Sequence, residues 1–159
     1  PVSLGQCRAM TARPLRPEFW TLPLGRLTAP EWEALCDGCG KCCLFKFINP
    51  GEETVRFTNV VCRYMDLETC RCTDYDNRHV NVPDCIYLTP KIARVVNWLP
   101  ATCAYRLVAH GQDLPWWHPL KSGSPQSVFL AGESVAGKVV SEEDVDPDDM
   151  EDMVVDWFR

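Results

Sequence analysis

The sequence lacks the features that would place it in a membrane or on nucleic acid. No stretch approaches the roughly 20 apolar residues that a helix needs to span a bilayer. The segment Pro1-Val2-Ser3-Leu4 has no basic region followed by an apolar core, the pattern of an export signal. Basic residues number 16 against 22 acidic ones, which gives a formal net charge of -6 and disfavours a broad nucleic-acid surface. We therefore expect a cytoplasmic protein with neither a membrane nor a nucleic-acid partner.

Familiar catalytic motifs are also missing. The sequence contains no Gly-rich phosphate loop, no Gly-x-Ser-x-Gly nucleophile elbow and no His-Glu-x-x-His metalloprotease helix. These absences exclude the standard hydrolases and nucleotide-dependent enzymes. A cysteine nucleophile would need a partner base, and none of these patterns supplies one.

Proline and cysteine are abundant. The 159 residues include 13 prolines and 10 cysteines. Prolines at this density shorten helices and strands, so we expect a single small α+β domain that is rich in loops, with short helices and a small sheet. Such a domain needs a further source of stability, and a cysteine-bound metal centre would provide it.

The cysteines form a framework rather than a scatter. Cys7 stands apart, and the other nine lie between residues 36 and 103. Disulfides and inert buried thiols are the alternatives to metal ligands. Adjacent cysteines cannot easily pair with each other, and Cys70-Arg71-Cys72 would make a strained disulfide loop, so metal binding is favoured. The predicted ligands are Cys36, Cys39, Cys42, Cys43, Cys62, Cys70, Cys72, Cys85 and Cys103.

The run Cys36-x-x-Cys39-x-x-Cys42-Cys43 is the most informative part of this framework. Cysteines three residues apart suit a turn that places several sulfurs on one ion or cluster, and Gly38 and Gly40 allow backbone amides to approach sulfur. The spacing resembles the ligand loop of bacterial ferredoxins, although x3-Cys-Pro does not follow. An iron-sulfur cluster, possibly 4Fe-4S, is slightly favoured over zinc. Nine thiols could also fill two four-cysteine sites with one left over, or hold a cluster and a zinc ion.

The sequence divides into three segments. Residues 1–27 form a proline- and arginine-containing arm, residues 28–122 a cysteine-cluster core, and residues 123–159 a C-terminal extension. A capping box predicts a helix over 29–35, and β-branched residues predict a strand over 54–61. Further helices are expected from Thr89-Pro90 through Trp98 and, behind an acidic cap at Asp146, along the tail through Phe158.

Three residues are candidates to support the metal ligands without binding the metal. Arg78 and Arg106 could donate hydrogen bonds to sulfur or to backbone carbonyls, or could form exposed salt bridges instead. His118, which follows two tryptophans, could be a ligand, a proton carrier or a hydrogen-bonded loop histidine.

Several motifs resemble one protein family. They are Cys36-Asp37-Gly38-Cys39-Gly40-Lys41-Cys42-Cys43, Phe57-Thr58-Asn59-Val60, Cys72-x-x-Tyr75-x-x-Arg78, Pro83-Asp84-Cys85, Thr102-Cys103-Ala104-Tyr105-Arg106 and Trp117-His118-Pro119-Leu120. The chain resembles the YcgN-like branch of the CxxCxxCC family, of the YkgJ type, from about Phe19 to about Leu120. This resemblance implies a small bacterial cytoplasmic protein that chelates zinc or iron, and it implies no defined reaction.

Three functions follow as hypotheses. The first is a non-enzymatic metalloprotein that serves metal handling or binds a protein partner. The second is a redox or group-transfer enzyme with an open site on an iron-sulfur cluster near His118 and Arg106. The third is a thiol redox sensor in which Cys7 or a ninth thiol is oxidised.

Overall fold

The computed structural model describes residues 14–157, in which short helices pack beside one small sheet. The strands are β1 (Leu44–Ile48), β2 (Val55–Val61), β3 (Val140–Ser141) and β4 (Val154–Val155). The α-helices are α1 (Ala29–Glu33), α2 (Arg78–Asn81), α3 (Pro90–Val95), α4 (Ala104–Ala109), α5 (Pro119–Ser122) and α6 (Ser127–Leu130). Single turns of 3-10 helix lie at Phe19–Thr21, Leu24–Arg26, Lys41–Cys43 and Glu142–Asp144, and a longer one at Pro147–Met153. The prediction of a small, loop-rich α+β domain is confirmed.

Strand β2 is the centre of the sheet. It pairs with β1 in antiparallel register, from Leu44 opposite Val61 to Ile48 opposite Val55, with a bulge between Leu44 and Lys46. It also pairs with β3 in parallel and with β4 in antiparallel orientation. The paired ends of β1 and β2 therefore bring Cys43 and Cys62, the residues just outside the two strands, to the same end of the sheet.

Local sequence accounts for the helix starts. The Thr28 hydroxyl accepts a hydrogen bond from the Glu31 amide while the Glu31 carboxylate bonds the Thr28 amide, which is a complete capping box at the start of α1. Thr89 likewise caps α3, where Pro90 takes the first helical position. Both helices were predicted and are confirmed, but α1 ends at Glu33 and not at residue 35, and α3 ends at Val95 and not at Trp98. Trp98 lies beyond the helix and packs against both hydrophobic clusters of the domain.

The predicted tail helix is wrong beyond its first turns. Asp146 caps the segment and Pro147 opens it as expected, but Pro147–Met153 is a 3-10 helix and the chain then becomes β4. Val154 and Val155 pair with Thr58 and Phe57 of β2. Pairing with an open strand edge, which local sequence does not reveal, prevails over the helical pattern. Phe158, at the predicted end of that helix, lies outside the described residues.

Two hydrophobic clusters stabilise the domain. A helical cluster joins residues of the N-terminal segment, α1, α3 and α4, with Phe19 and Leu35 fully buried at 1% and 0% exposure. A sheet cluster lies under β1 and β2 and includes Val135 at 0% exposure. Cys43 packs on the sheet cluster and Cys103 packs on the helical cluster, so cysteines border both clusters.

Residues after 123 are part of this architecture. They supply two strands of the sheet and the buried Val128 and Val135. Within the described part of the chain, no helix is long and apolar enough to cross a membrane.

The Arg16–Glu31 ion pair predicts a dependence of stability on acid. Glu31 is buried, and Arg16 donates to both of its carboxylate oxygens at 2.7 and 2.6 Å. This hydrogen bonding lowers the pKa of Glu31 from 4.5 to about 2. A group whose folded pKa is lowered stabilises the fold above its unfolded pKa and loses that contribution as the pH falls toward the folded value. The free energy of unfolding should therefore decline between about pH 4.5 and pH 2, and Glu31→Gln should remove this component.

Denaturant unfolding measured across that range checks the expectation. The matched control is Glu68→Gln, because Glu68 is exposed in a turn. If both variants show the wild-type acid dependence, the Arg16–Glu31 pair does not cause it.

Candidate metal centre

Cys36, Cys39, Cys42 and Cys43 lie on a tight loop between α1 and β1. Gly38 and Gly40 have φ angles of +79° and +78°, which favour glycine. A Cβ atom at Gly38 would lie 2.8 Å from Nη2 of Arg71, and one at Gly40 would lie 2.7 Å from Cγ2 of Val135. Only glycine therefore lets the loop pass so closely between these two side chains.

The inner side of this loop is held by groups distant in sequence. The Val135 amide donates to the Cys39 carbonyl at 2.9 Å, and Lys41 forms a largely buried ion pair with Glu133 at 2.6 Å. Within the loop, the Asp37 carboxylate accepts from the Cys39 amide at 3.0 Å, as in an Asx turn. The C-terminal segment thus fixes the backbone between Cys39 and Cys42.

The sheet and the hairpin after it position two further cysteines near Cys43. The Cys62 amide donates to the Cys43 carbonyl at 3.3 Å, which continues the β1–β2 register by one pair. The Met65 amide then bonds the Cys62 carbonyl at 2.9 Å, and Met65 forms an antiparallel bridge with Cys72. Cys43, Cys62 and Cys72 therefore lie on neighbouring backbone segments at one end of the sheet.

Cys85 is joined to the same region through α2. The guanidinium of Arg63, next to Cys62, donates to the Asn81 carbonyl at 3.3 Å. The Cys85 carbonyl lies 2.9 Å from Nδ1 of His79. Nε2 of His79 is buried without a hydrogen-bond partner.

Cys103 approaches the loop from the helical side. It is the N-cap residue of α4, and two residues later the Tyr105 hydroxyl donates to the Glu33 carbonyl at 3.4 Å. The Tyr105 and Trp32 rings pack with centroids 4.7 Å apart. The start of α4 is thereby held beside the end of α1, where the chain enters Cys36.

Four of the sulfurs accept hydrogen bonds from a backbone amide two residues later. Such amides favour the thiolate form and are typical of cysteines that bind metals in turns. The pairs, sulfur first, are Cys36 with Gly38, Cys39 with Lys41, Cys62 with Tyr64 and Cys103 with Tyr105.

The protein around the thiols opposes their ionisation. Desolvation raises the pKa of Cys36 to about 11 and that of Cys103 to about 12, and it also raises the pKa of Cys39, Cys62 and Cys85. Gathering several thiolates here is costly without a positive charge among them. A bound cation supplies that charge and lowers the pKa of its ligands.

Cys42 and Cys43 form a hydrogen-bonded pair of neighbours. The Cys43 thiol bonds the Cys42 sulfur and lowers the pKa of Cys42 to about 7. The same bond, together with the charge of Cys42 and burial, raises the pKa of Cys43. Cys42 is therefore the more readily ionised of the two.

Two cationic side chains that sequence reasoning missed lie beside the thiols. Nη1 of Arg71 is 3.8 Å from Sγ of Cys36. Nζ of Lys46 donates to the carbonyls of Cys42 at 3.2 Å and Leu44 at 2.9 Å, and burial lowers its pKa. In the sequence, the position of Arg71 between Cys70 and Cys72 is the feature that could have indicated a role beside the thiols. For Lys46 the only signal was its proximity to Cys43.

The three predicted supporting residues are all bonded to backbone groups. Arg78 donates to the Tyr75 carbonyl at 2.6 Å, stacks on the Tyr75 ring at 3.6 Å, and its charge acts to lower the pKa of Cys85. Arg106 donates to the Leu99 carbonyl at 2.6 Å. His118 is buried, with Nε2 2.9 Å from the Leu35 carbonyl and Nδ1 accepting from the Leu120 amide at 3.1 Å. Both nitrogens of His118 are used, and its contact fixes the residue before Cys36.

Cys70 differs from the other eight described cysteines. It is a buried member of the sheet cluster, and its sulfur lies 3.4 Å from Oγ of Ser134. Its φ angle is +54°, in the left-handed region. Cys7 lies outside the described residues.

The donor set fits zinc or iron, although the described side chains are not arranged around a common metal position. All nine described cysteines are free thiols, and thiolates are the ligands that both metals accept in proteins. Across residues 14–157, no group of three or more His, Cys, Asp or Glu side chains stands close enough to hold an ion. Binding therefore requires the thiols to turn toward a common point.

Comparison with known proteins also points to zinc or iron as the metal. The pattern of the CxxCxxCC family, described as "Putative zinc- or iron-chelating domain", matches residues 35–104. The family resemblance seen in the sequence is thereby confirmed.

Relatives match over most of the chain. A UPF0260 protein of Rhizobium meliloti is 54% identical over 140 residues, which cover 87% of this chain and 90% of the relative. A UPF0260 protein of Rhodobacter capsulatus is 54% identical over 143 residues, 89% of this chain and 96% of the relative. One from Granulibacter bethesdensis is 52% identical over 140 residues, 87% and 83% of the two chains. These matches are longer than the stretch from Phe19 to Leu120 that sequence reasoning indicated.

No solved structure matches the chain. The family pattern covers the four-cysteine loop and extends to Cys103, and the relatives extend the similarity to nearly the whole sequence. The chain therefore belongs to the UPF0260 proteins, and its residues 35–104 match the CxxCxxCC domain.

Proposed function

We propose that this chain is a cytoplasmic, non-enzymatic metalloprotein whose cysteines bind an iron-sulfur cluster or zinc, and which serves metal handling or binds a protein partner. The observation that carries the proposal is that distant segments bring cysteines close together: Cys43, Cys62 and Cys72 at one end of the sheet, and Cys103 at the start of α4 beside the end of α1. Four of the described thiols accept a hydrogen bond from the backbone amide of the second residue after the cysteine. Arg71, Lys46 and Arg78 add positive charge beside the same thiols.

An iron-sulfur cluster is the more specific part of the proposal. Cys36, Cys39, Cys42 and Cys43 are crowded into one turn, and amide hydrogen bonds to sulfur stabilise the electron-rich ligands of such clusters. Zinc sites more often use two separated pairs of cysteines. The crowding therefore favours iron-sulfur binding for this loop.

Metal handling is supported by the accessibility of the loop. Cys36 and Cys42 are exposed, so incoming metal or a partner's thiol can reach them. His118 and Arg106, which the enzyme hypothesis places near an open cluster site, are both bonded to backbone carbonyls. Neither is therefore offered as an acid or a base.

Anaerobic purification followed by elemental analysis tests the proposal. We expect iron with acid-labile sulfide and broad visible absorption, or stoichiometric zinc, which is colourless because its d shell is full. Removal of the metal should destabilise the fold, by about 4 kcal/mol where the free metal stands a thousandfold above its Kd. A protein that folds fully and carries neither metal would refute the proposal.

Substitution of Arg71 tests whether its charge supports the thiolates. Arg71→Gln removes the cation beside Cys36, and loss of such a supporting contact typically weakens metal binding by roughly tenfold or more. Arg71→Lys keeps the charge and should recover part of the affinity. Competition with a chromogenic chelator gives the measurement.

The matched control for this substitution is Arg56→Gln. Arg56 lies on β2 and pairs with Glu151 at 3.5 Å on the surface. Equal losses of affinity in Arg71→Gln and Arg56→Gln, or no loss in either, would show that Arg71 has no special role.

A further inference from the structure

The backbone divides the thiols into two groups with different structural supports. We propose that they form two adjacent four-thiol centres, each for one zinc ion or one iron-sulfur cluster, and that Cys70 is a ligand of neither. This inference rests on the proposed metal binding and adds its stoichiometry and ligand assignment. The first centre comprises Cys36, Cys39, Cys42 and Cys103. The second comprises Cys43, Cys62, Cys72 and Cys85.

The first group is supported by the helical cluster. Cys36 follows α1 directly, and His118 holds the Leu35 carbonyl just before it. Cys103 starts α4 and packs on the helical cluster, and the Tyr105 contacts with Glu33 and Trp32 hold that helix start against α1. The three-spaced cysteines of the loop supply three thiols on one turn. Cys103, which comes from the helical side, supplies the fourth thiol of this centre.

The second group is supported by the end of the sheet. Cys43 packs on the sheet cluster and lies opposite Cys62, where facing side chains are about 5 Å apart at their Cβ atoms. Cys72 is carried by the hairpin that bonds back to Cys62 through Met65. The segment of Cys85 is joined to Cys62 by the bond from Arg63 to Asn81.

The adjacent cysteines divide between the groups because Cys43, and not Cys42, packs on the sheet cluster. Cys43 is the last residue of a 3-10 turn and leads into β1, so its side chain packs on the sheet cluster. Cys42, the residue before it, is exposed. Because Cys42 and Cys43 are adjacent in the chain, the two centres would be immediate neighbours.

Cys70 has the surroundings of a packing residue. Its exposure is 6%, it contacts apolar neighbours in the sheet cluster, and Ser134 gives its thiol a hydrogen-bond partner. Its Cβ also lies 3.2 Å from the position that a Cβ at Gly40 would take, which places it behind the cysteine loop. With Cys70 set aside, the described residues hold eight other thiols, the number that two four-coordinate sites require.

Counting metal in matched variants tests the division. Iron, sulfide and zinc are measured in protein treated with a chelator that strips weakly held metal, and each zinc ion or cluster counts as one centre. We expect two centres in the wild type, one in Cys103→Ser, one in Cys85→Ser and none in the double variant. Cys70→Ala should keep both centres.

The outcomes separate this inference from the proposal on which it rests. A wild type without metal would refute metal binding itself. A wild type with one centre that either serine variant abolishes would leave metal binding intact and overturn the two-centre assignment. Loss of a centre in Cys70→Ala, with circular dichroism unchanged, would overturn the exclusion of Cys70.

A second measurement needs no variant and so does not depend on how the variants fold. The wild-type metalloprotein is exposed to increasing chelator, released thiols are alkylated, and the labelled cysteines are mapped by mass spectrometry. Cys36, Cys39, Cys42 and Cys103 should become labelled together, and the other four as a separate group. Labelling of all eight with one rate, or of mixed groups, would contradict the division.

Discussion

The arrangement of this domain depends on how it accommodates several thiols in one place. Thiolates repel one another, and protein that excludes water from them raises their pKa, as it does for Cys39 and Cys103. The fold offsets this cost with amide hydrogen bonds to sulfur and with the cations of Arg71, Lys46 and Arg78. A metal ion would supply the largest single compensating charge.

The position of the thiols follows from the same constraint. Cys43 lies at the margin of the sheet cluster and Cys103 at the margin of the helical cluster, where a polar thiolate need not be buried in either core. The C-terminal segment holds the cysteine loop in place, because the Val135 amide bonds the Cys39 carbonyl and Glu133 pairs with Lys41. Stability of the domain and the geometry of its thiols are therefore linked.

Much of the site could be read from the sequence, because its information is local. The capping box of α1, the turn glycines and the three-residue cysteine spacing each determine backbone shape within a few residues. The family resemblance rested on the same short motifs. Arg71 and Lys46 could not be assigned, since their roles depend on which loop comes to lie beside them. The long tail helix failed because β2 offers an edge to which Val154 and Val155 pair.

The sequence by itself determined the chemistry of this protein: many thiols, spaced for a metal, in a chain too rich in proline for long helices. The tertiary structure alone decided how those thiols are grouped. Cys62 comes to face Cys43 because two strands pair. Cys103 lies beside the end of α1 because Tyr105 packs on Trp32, and Cys70 is buried because it packs in the sheet cluster beneath Gly40. Each of these placements comes from contacts between residues distant in sequence, which spacing along the chain does not encode.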